Sequence, residues 1–296
     1  MRIATIRSGG RVTSALNRDG LLVDLSSLAS RLDPTSGPFP WGRGLVEACV
    51  AGDARVRRVL DHALTAGVSS LPCVADPVWL PAVPDPTQVF AIGLNYLSHC
   101  REQGREPPSV PIFFHKAVSC LSGHLAPVVA WPVSREVDFE GELAVVIGRG
   151  GRGIPEAEAL SHVFGYTVMN DVTARDLQRS DRQWSRSKGL DTFGPMGPAV
   201  VTADEVPDPA ALRIRTFVNG ALVQDSLVSD MIFTVARLVA HVSEAITLRP
   251  GDVISTGTPA GVGVFADPPR FLKAGDEVVI RIDGVGELRN PVVAAQ

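Results

Sequence analysis

The sequence lacks several features that would assign it to a common class of protein. Its four cysteines, Cys49, Cys73, Cys100 and Cys120, form no CxxC pair, which argues against a zinc site or a disulfide scaffold. It has no basic run and a net charge of −4, so we expect no nucleic-acid partner. No apolar run approaches the ~20 residues of a membrane span, and the first ten residues lack the apolar core of a signal peptide. We therefore expect a cytoplasmic protein without a membrane partner.

Length and composition are those of an ordinary globular protein. The 296 residues suit one large domain, or a main domain with a smaller companion, and 45% of them are hydrophobic. Residues 72–87 contain five prolines, which exclude a helix or a central strand and favour an extended linker. We therefore divide the chain into a small N-terminal domain over 1–71, this linker, and a main domain over 88–296.

The local patterns predict mainly antiparallel β-structure. Three short alternating segments open the chain and predict a small antiparallel sheet, and Asp53 is the predicted N-cap of a later helix. Asn219-Gly220 and Asp283-Gly284 each separate two alternating segments, which is a strong hairpin signature. Apolar residues at helical spacing predict an amphipathic helix over 229–246. Because hairpin turns dominate over βαβ units, we expect a β-rich α+β fold.

A row of acids precedes the most apolar predicted strand, residues 138–148. Asp138, Glu140 and Glu142 alternate with apolar or glycine residues, so a strand would present them on one face. Crowded carboxylates repel one another, and burying them is costly. A hard divalent cation resolves both problems, because such ions favour carboxylate oxygens. The alternative is a solvated sheet edge whose acids face water.

Asp171 follows a second predicted strand, residues 164–170. In one interpretation it delivers a further carboxylate to the same metal ion. In the other it caps the next helix, where Thr173 and Asp176 resemble a capping box. The two roles are compatible, with Asp171 as ligand and Thr173 as cap.

His99 and Glu102 lie three residues apart on a short predicted helix, for which Asn95 is the predicted N-cap. A carboxylate beside a histidine fixes its tautomer and raises its basicity, which suits the pair for taking a proton from water. The alternative is an ordinary His–Glu pair on the surface.

Two loops are candidates for the surroundings of a site. Residues 253–264 predict a strand that runs into a glycine-rich loop, which matches no phosphate-binding fingerprint but offers the Thr258 hydroxyl. Residues 179–189 are polar with no obvious element, which favours a mobile loop in which Trp184 either covers the site or packs.

Six sequence blocks together resemble the fumarylacetoacetate hydrolase family. They are GLNYLSHCRE (93–102), DFEGELAVVIG (138–148), GYTVMNDVTARDLQ (165–178), SKGLDTFGPMGP (187–198), VNG (218–220) and STGTPAGVG (255–263). They occur in the family's order and cover about residues 88–293. The resemblance, to longer bacterial members, implies a distorted β-roll with a small N-terminal α+β domain, often assembled as a homodimer.

The resemblance also implies roles for individual residues. These are metal binding for Glu140, Glu142 and Asp171, catalysis for His99, Glu102, Lys116 and Lys188, and substrate binding for Tyr96, Arg175, Gln178 and Thr258. The implied cofactor is Mg²⁺ or Mn²⁺, with Ca²⁺ left open. Asp138 matches a family position that is not normally a direct ligand. For each cation considered singly, a surface position is the alternative.

The implied activity is that of a divalent-metal-dependent hydrolase acting on a small anionic keto acid. It would cleave the C–C bond of a 3-acylpyruvate through a metal-stabilised enolate, with His99 and Glu102 activating the water. Because fold and family do not fix the reaction, two alternatives stay open. They are decarboxylation of a β-keto acid such as oxaloacetate and isomerisation of a 2-hydroxymuconate-type diacid. A non-catalytic, metal-stabilised binding protein is the hypothesis from a different class.

Overall fold

The computed structural model describes residues 1–18 and 20–295. Its strands are β1 (Arg2–Ser8), β2 (Arg11–Arg18), β3 (Leu21–Asp24), β4 (Cys73–Val74), β5 (Val78–Trp79), β6 (Val89–Gly93), β7 (Ile112–His115), β8 (Leu121–Ser122), β9 (Val128–Ala130), β10 (Val137–Asp138), β11 (Gly141–Ile147), β12 (Val163–Asn170), β13 (Thr173–Ala174), β14 (Gly194–Thr202), β15 (Arg213–Val218), β16 (Ala221–Leu227), β17 (Val253–Ser255), β18 (Glu277–Ile282) and β19 (Gly286–Ala294). Its α-helices are α1 (Leu25–Leu32), α2 (Gly42–Val50), α3 (Ala54–Thr65), α4 (Leu97–Glu102), α5 (Arg175–Asp181), α6 (Trp184–Lys188) and α7 (Val235–Ser243). The predicted β-rich α+β fold is confirmed. None of the described helices is long and apolar enough to span a membrane.

Two large sheets organise the chain. The first has twelve strands in the order β4-β3-β2-β1-β14-β12-β11-β17-β6-β7, with β5 beside β1 and β8 beside β14. The second has five strands in the order β16-β15-β18-β19-β9, and β10 pairs separately with β13. The predicted antiparallel sheet at the start of the chain is β1-β2-β3, and the pairing of β1 with β14 makes it continuous with the main sheet.

The proline-rich segment 72–87 lies along the N-terminal strands. It contributes two short strands: β4 pairs with β3, and β5 pairs with β1. The Thr5 hydroxyl donates to the carbonyl of Ala82 (2.9 Å), which fixes the end of the segment against β1. The segment is therefore extended, as its prolines predict, and it packs on the sheet instead of crossing solvent.

Strand β11 lies at the centre of the core and is buried over its whole length. Leu143, Val145 and Ile147 pack in the main hydrophobic cluster, which also includes residues of the second sheet and α7. Ala144 and Val146 belong to a different cluster, on the opposite face. A strand that is covered on both faces carries apolar side chains on both, which explains the near-continuous apolar run of β11. Glu140, which directly precedes the strand, is buried with it.

Several local predictions are confirmed and others are wrong. Asp53 caps α3, since its carboxylate accepts a hydrogen bond from Val56 N (2.9 Å). The Asn219-Gly220 turn connects β15 to β16 with positive φ at both residues, as a two-residue hairpin requires. Helix α7 is shorter than the predicted 229–246, because Thr234 caps it by accepting from Arg237 N. Residues 179–189, predicted to have no regular element, contain the end of α5 and the whole of α6.

Asp24 caps α1 and connects this helix to the N-terminal strands. Its Oδ1 accepts hydrogen bonds from Ser27 N (3.0 Å) and Thr13 Oγ1 (2.7 Å), and its Oδ2 accepts from Ser27 Oγ (2.6 Å). Burial acts to raise the pKa of Asp24, but the hydrogen bonds from Ser27 and Thr13 and the charge of Arg11 outweigh it and lower the pKa. The ionised carboxylate is therefore the form that the fold stabilises.

The Asp24→Asn variant should lower the free energy of unfolding at neutral pH by about 1 kcal/mol. Because the folded-state pKa is depressed, the contribution of Asp24 is complete above the ordinary Asp value of about 3.9 and is lost as the pH falls through the folded-state value. The variant should consequently lose less stability on acidification. Urea unfolding between about pH 3 and pH 7 measures both effects. Asp61→Asn, at an exposed position of α3, is the control, and equal pH dependence in wild type and Asp24→Asn would contradict the prediction.

Candidate active site

Antiparallel pairing of β11 and β12 brings three predicted carboxylates together. Gly141 at the start of β11 pairs with Asn170 at the end of β12, so Glu140 and Asp171 are neighbours and Asp171 N donates to Glu140 O (2.9 Å). One oxygen each of Glu140, Glu142 and Asp171 lies within 4.8 Å of the others. The three residues are only 5%, 1% and 1% exposed, so the interpretation as a solvated edge is wrong.

Asp138 does not belong to this carboxylate cluster. The strand predicted over 138–148 is interrupted, because β10 ends at Asp138 and β11 begins at Gly141. The Asp138 carboxylate accepts hydrogen bonds from Arg175 Nε (2.9 Å) and from the backbone amides of Gly263 (2.8 Å) and Val264 (3.0 Å). Arg175 thus neutralises the charge of Asp138, and the hydrogen bonds to Gly263 and Val264 fix the turn after the glycine-rich loop.

Two buried lysines contact the cluster. Lys116 Nζ donates to Asp171 Oδ1 (2.6 Å) and to the carbonyl of Lys188. Lys188 Nζ donates to Glu140 Oε2 and Asp171 Oδ2, both at 2.8 Å, and to Thr173 Oγ1. Both lysines are 3% exposed, so the alternative of surface cations is wrong for them. Burial acts to lower the pKa of Lys188, but the charges of Asp171 and Glu140 raise it.

Arg175 is the third buried cation and connects the cluster to Asp138. Its Nη2 lies 2.7 Å from Glu140 Oε1, and its Nη1 donates to Gln178 Oε1 (3.2 Å). Burial acts to raise the pKa of Glu140, but the charges of Lys188, Arg175 and His99 lower it to about 2. Glu140 is therefore a fully ionised carboxylate.

Glu142 differs from its neighbours because, within residues 1–18 and 20–295, no cation forms a salt bridge with it. Its Oε2 accepts hydrogen bonds from Ser255 Oγ (2.5 Å) and Gly257 N (2.9 Å). Burial and the negative charges of Asp171 and Glu140 raise its pKa well above the ordinary value. Three convergent carboxylates, one of them uncompensated, form a donor set that fits a hard divalent cation.

His99, which is buried, and Glu102, which is partly exposed, form a pair at the edge of the same region. His99 Nδ1 lies 2.5 Å from Glu102 Oε1, and Glu102 Oε2 accepts from Gly261 N (2.9 Å). His99 Nε2 lies 2.7 Å from the side-chain nitrogen of Gln103. His99 is 6% exposed, so the alternative of a surface pair is wrong. Because a carboxylate only accepts, we assign the ring hydrogen to Nδ1 and the lone pair to Nε2.

Two predicted helix caps near the site are wrong. The Asn95 side chain donates to the carbonyls of Thr256 (2.7 Å) and Phe233 (3.1 Å), and it is Asp230 that accepts from Ser98 N at the start of α4 (3.0 Å). Long-range contacts thus replace the local cap.

The predicted capping box at Thr173 and Asp176 is also absent. Thr173 lies in β13, its hydroxyl donates to the carbonyl of Asp171 (2.8 Å), and α5 begins only at Arg175. Asp176 accepts hydrogen bonds from Ser134 Oγ (2.6 Å), Arg135 N (2.9 Å) and Leu177 N (2.9 Å), and none of these is the Thr173 amide that a capping box requires.

A cavity of about 370 Å³ opens between α4, the carboxylate cluster and α5. The predicted site residues that line it are His99, Glu140, Arg175, Gln178, Lys188 and Thr258. The side chains of Phe114, Trp184 and Phe265 form much of its apolar surface. Trp184 packs edge-on against Phe114, with ring centroids 5.4 Å apart. Trp184 therefore shapes the cavity as a packed wall.

The remaining predicted site residues lie behind this surface: Tyr96, Glu102, Lys116, Glu142 and Asp171. The Tyr96 hydroxyl is buried and has no hydrogen-bond partner within residues 1–18 and 20–295. Burial and the charge of Glu142 raise the pKa of Tyr96. The Thr258 hydroxyl already donates to Gly141 O (2.9 Å) and accepts from Gln224 Nε2 (2.8 Å). Substrate contact by Tyr96 and Thr258 stays a prediction.

Some lining residues were not predicted from the sequence, notably Gln103, Arg105 and Phe265. Gln103 follows His99 by four residues, so helical spacing alone could have indicated it. The position of Phe265 depends on the turn that Asp138 fixes, and no local pattern encodes this contact.

Comparison with known proteins agrees with this geometry. Residues 88–293 match the family described as fumarylacetoacetate (FAA) hydrolase C-terminal. The chain is 49% identical, over 216 residues, to the mitochondrial oxaloacetate tautomerase fahd2 of Xenopus laevis, covering 72% of this chain and 68% of that one. The solved structure of fumarylacetoacetate hydrolase from Exiguobacterium antarcticum covers 100% of both chains with a TM-score of 0.83 and 34% identity.

A second solved structure adds a metal. Maleylpyruvate hydrolase from Sphingobium sp. SYK-6, in complex with manganese (II) ion and pyruvate, covers 100% of both chains with a TM-score of 0.80 and 31% identity. The family match spans most of the sequence, and the two structural matches span all of it. This chain therefore belongs to the fumarylacetoacetate hydrolase family and is a metal-binding enzyme that acts on keto acids.

Proposed function

We propose that the enzyme interconverts the enol and keto forms of a small β-keto diacid of the oxaloacetate type. The observation that carries this proposal is the His99–Glu102 pair, whose buried histidine lines a cavity that the cations Lys188 and Arg175 also line. A proton donor and acceptor beside buried cations suits proton transfer on an anionic substrate. The similarity to oxaloacetate tautomerase fahd2 supports this reaction over the C–C bond hydrolysis expected from the sequence.

We assign Glu140, Glu142 and Asp171 as ligands of a divalent cation, Mg²⁺ or Mn²⁺. The assignment rests on their shared position and on the uncompensated charge of Glu142. The manganese ion in the maleylpyruvate hydrolase structure supports a metal of this type. When bound, the cation supplies a Lewis acid that stabilises negative charge on the substrate's keto oxygen.

His99 moves the proton in this proposal. In the enol-to-keto direction, the enol hydroxyl loses one proton and C3 gains one, so composition is unchanged. Nε2 of His99 exchanges this proton, and the Glu102 carboxylate at Nδ1 stabilises the ring while it is protonated. Because Nε2 contacts the Gln103 amide in this structure, Gln103 must release it before the transfer.

Hydrolysis of a 3-acylpyruvate is the second candidate. The apolar surface formed by Phe114, Trp184 and Phe265 favours it, since an acyl group needs such surroundings. The similarity to maleylpyruvate hydrolase also supports it. The same His99–Glu102 pair would then activate water. A non-catalytic binding protein no longer fits, because the chain belongs to a family of enzymes.

Product analysis separates the candidate reactions. Purified enzyme with Mn²⁺ should accelerate the loss of the oxaloacetate enol absorbance without releasing CO₂, whereas CO₂ release would indicate decarboxylation. Formation of pyruvate and a carboxylic acid from an acylpyruvate, without enol turnover of oxaloacetate, would replace the first proposal by hydrolysis.

His99→Ala should lower kcat by about 10²- to 10⁴-fold, because a positioned acid–base group contributes this much. His241→Ala is the matched control, because His241 and Glu244 form another His–Glu pair three residues apart, 3.3 Å between Nδ1 and Oε1, that does not line the cavity. Steady-state assays of both variants, with Mn²⁺ affinity measured in parallel, test the assignment. Wild-type kcat in His99→Ala would remove His99 from the mechanism.

Glu142→Gln should weaken Mn²⁺ binding at least about tenfold, because it removes one ligand charge. In the metal-free protein the same change replaces a carboxyl group whose ionised form is disfavoured by burial and by Asp171 and Glu140, so the free energy of unfolding should stay equal or rise. Asp138→Asn is the matched control: it removes one of the two carboxylate charges that pair with Arg175 and should destabilise the fold, but it removes no assigned ligand. Calorimetric titration and urea unfolding measure both quantities, and wild-type Mn²⁺ affinity in Glu142→Gln would refute the ligand assignment.

A further inference from the structure

The cations that line the cavity differ in whether a protein carboxylate already neutralises them. Lys188 and Arg175, in the interior, both contact Glu140. Arg179 is exposed and donates to both carboxylate oxygens of Glu136, at 2.8 and 2.6 Å. These three cations are therefore already paired before any substrate binds.

Arg105 is the exception at the mouth of the cavity. Its side chain is exposed and lines the cavity. Within residues 1–18 and 20–295 its guanidinium makes no salt bridge and no hydrogen bond. Three exposed residues line the cavity, namely Arg105, Arg179 and Phe265, and of these only Arg105 offers an uncompensated charge. A guanidinium is a planar fork of donors that matches a carboxylate.

The backbone of Arg105 is fixed to the helix that carries His99. Gly104 ends α4 in the left-handed region (φ +61°), where glycine is favoured. Gly104 N donates to Arg101 O (3.0 Å) and Arg105 N donates to Cys100 O (2.9 Å), which is the hydrogen-bond pattern of a Schellman motif. The backbone positions of Arg105 and His99 therefore belong to one short element, which places the Arg105 side chain at the cavity.

We propose that Arg105 binds the distal carboxylate of a keto diacid and makes the enzyme prefer diacids to keto acids with an uncharged far end. The proposal rests on the proposed function and adds a specificity-determining residue to it. The keto-acid end of the substrate meets the buried cations and the carboxylate cluster, so its far end extends to the mouth. At the cavity mouth, a second carboxylate would lie beside the unpaired cation Arg105.

The test compares oxaloacetate with its 4-methyl ester, in which a methyl group replaces the distal charge. Arg105→Ala should lower kcat/KM for oxaloacetate about fivefold, through KM, because a partly exposed charge pair contributes about this much. It should leave kcat/KM for the ester unchanged. Arg105→Lys should restore part of the preference, because it restores the charge without the planar fork. Arg101→Ala is the matched control, since Arg101 is exposed on the same helix and does not line the cavity.

Ionic strength provides an independent readout. Salt screens exposed charges, so the wild-type preference for oxaloacetate should shrink as salt is added, and the Arg105→Ala variant should show no such dependence. Equal losses for both substrates in Arg105→Ala would indicate a displaced α4 and would overturn the proposal. Unchanged kcat/KM for oxaloacetate would overturn it as well.

Failure of the proposed function can be distinguished from failure of this inference. If wild type turns over neither compound, the proposed function is wrong, and the role of Arg105 is tested by binding instead. Calorimetric titration of the Mn²⁺-loaded proteins measures their affinities for oxaloacetate and for the ester. A preference for oxaloacetate that is lost in Arg105→Ala and retained in Arg101→Ala supports the inference, and any other pattern overturns it.

Discussion

The structure depends on the balance of charge among groups buried where β11 and β12 meet. Glu140 and Asp171 share Lys188, Lys116 adds a second cation to Asp171, and Glu142 has none. Buried charges are tolerated only when they are paired and hydrogen-bonded, so this region constrains every element that supplies one of them. The covered faces of β11 exclude water and strengthen each pair. The leftover negative charge is what a divalent cation complements.

The glycine-rich loop 256–264 connects the two halves of the site through backbone amides. Gly257 N donates to Glu142, Gly261 N to Glu102 and Gly263 N to Asp138. One loop thus orients a carboxylate of the Glu140–Glu142–Asp171 cluster, the partner of His99, and the acid that fixes Arg175. Gly257 and Gly261 have φ near +100°, which side chains rarely adopt. The loop resembles a phosphate-binding loop in composition, but here its amides orient the protein's own carboxylates.

Sequence patterns predicted the features that local chemistry controls. The Asn219-Gly220 hairpin and the Asp53 cap depend on neighbouring residues alone, and both are present. The convergence of Glu140, Glu142 and Asp171 followed from strand periodicity together with the family motifs. Patterns failed where distant residues supply the partner. Asn95 looked like a helix cap, but Thr256 and Phe233 take its side-chain amide, and such contacts between remote segments leave no periodic trace.

The lysine distribution has a practical consequence. The sequence contains three lysines, Lys116, Lys188 and Lys273, and the first two are buried in the site. Lys188 is kept protonated by its carboxylate partners, so it is a poor nucleophile as well as an inaccessible one. Lys273, on the turn before β18, is exposed. A reagent selective for lysine amines would therefore modify Lys273 and leave the buried Lys116 and Lys188 unmodified.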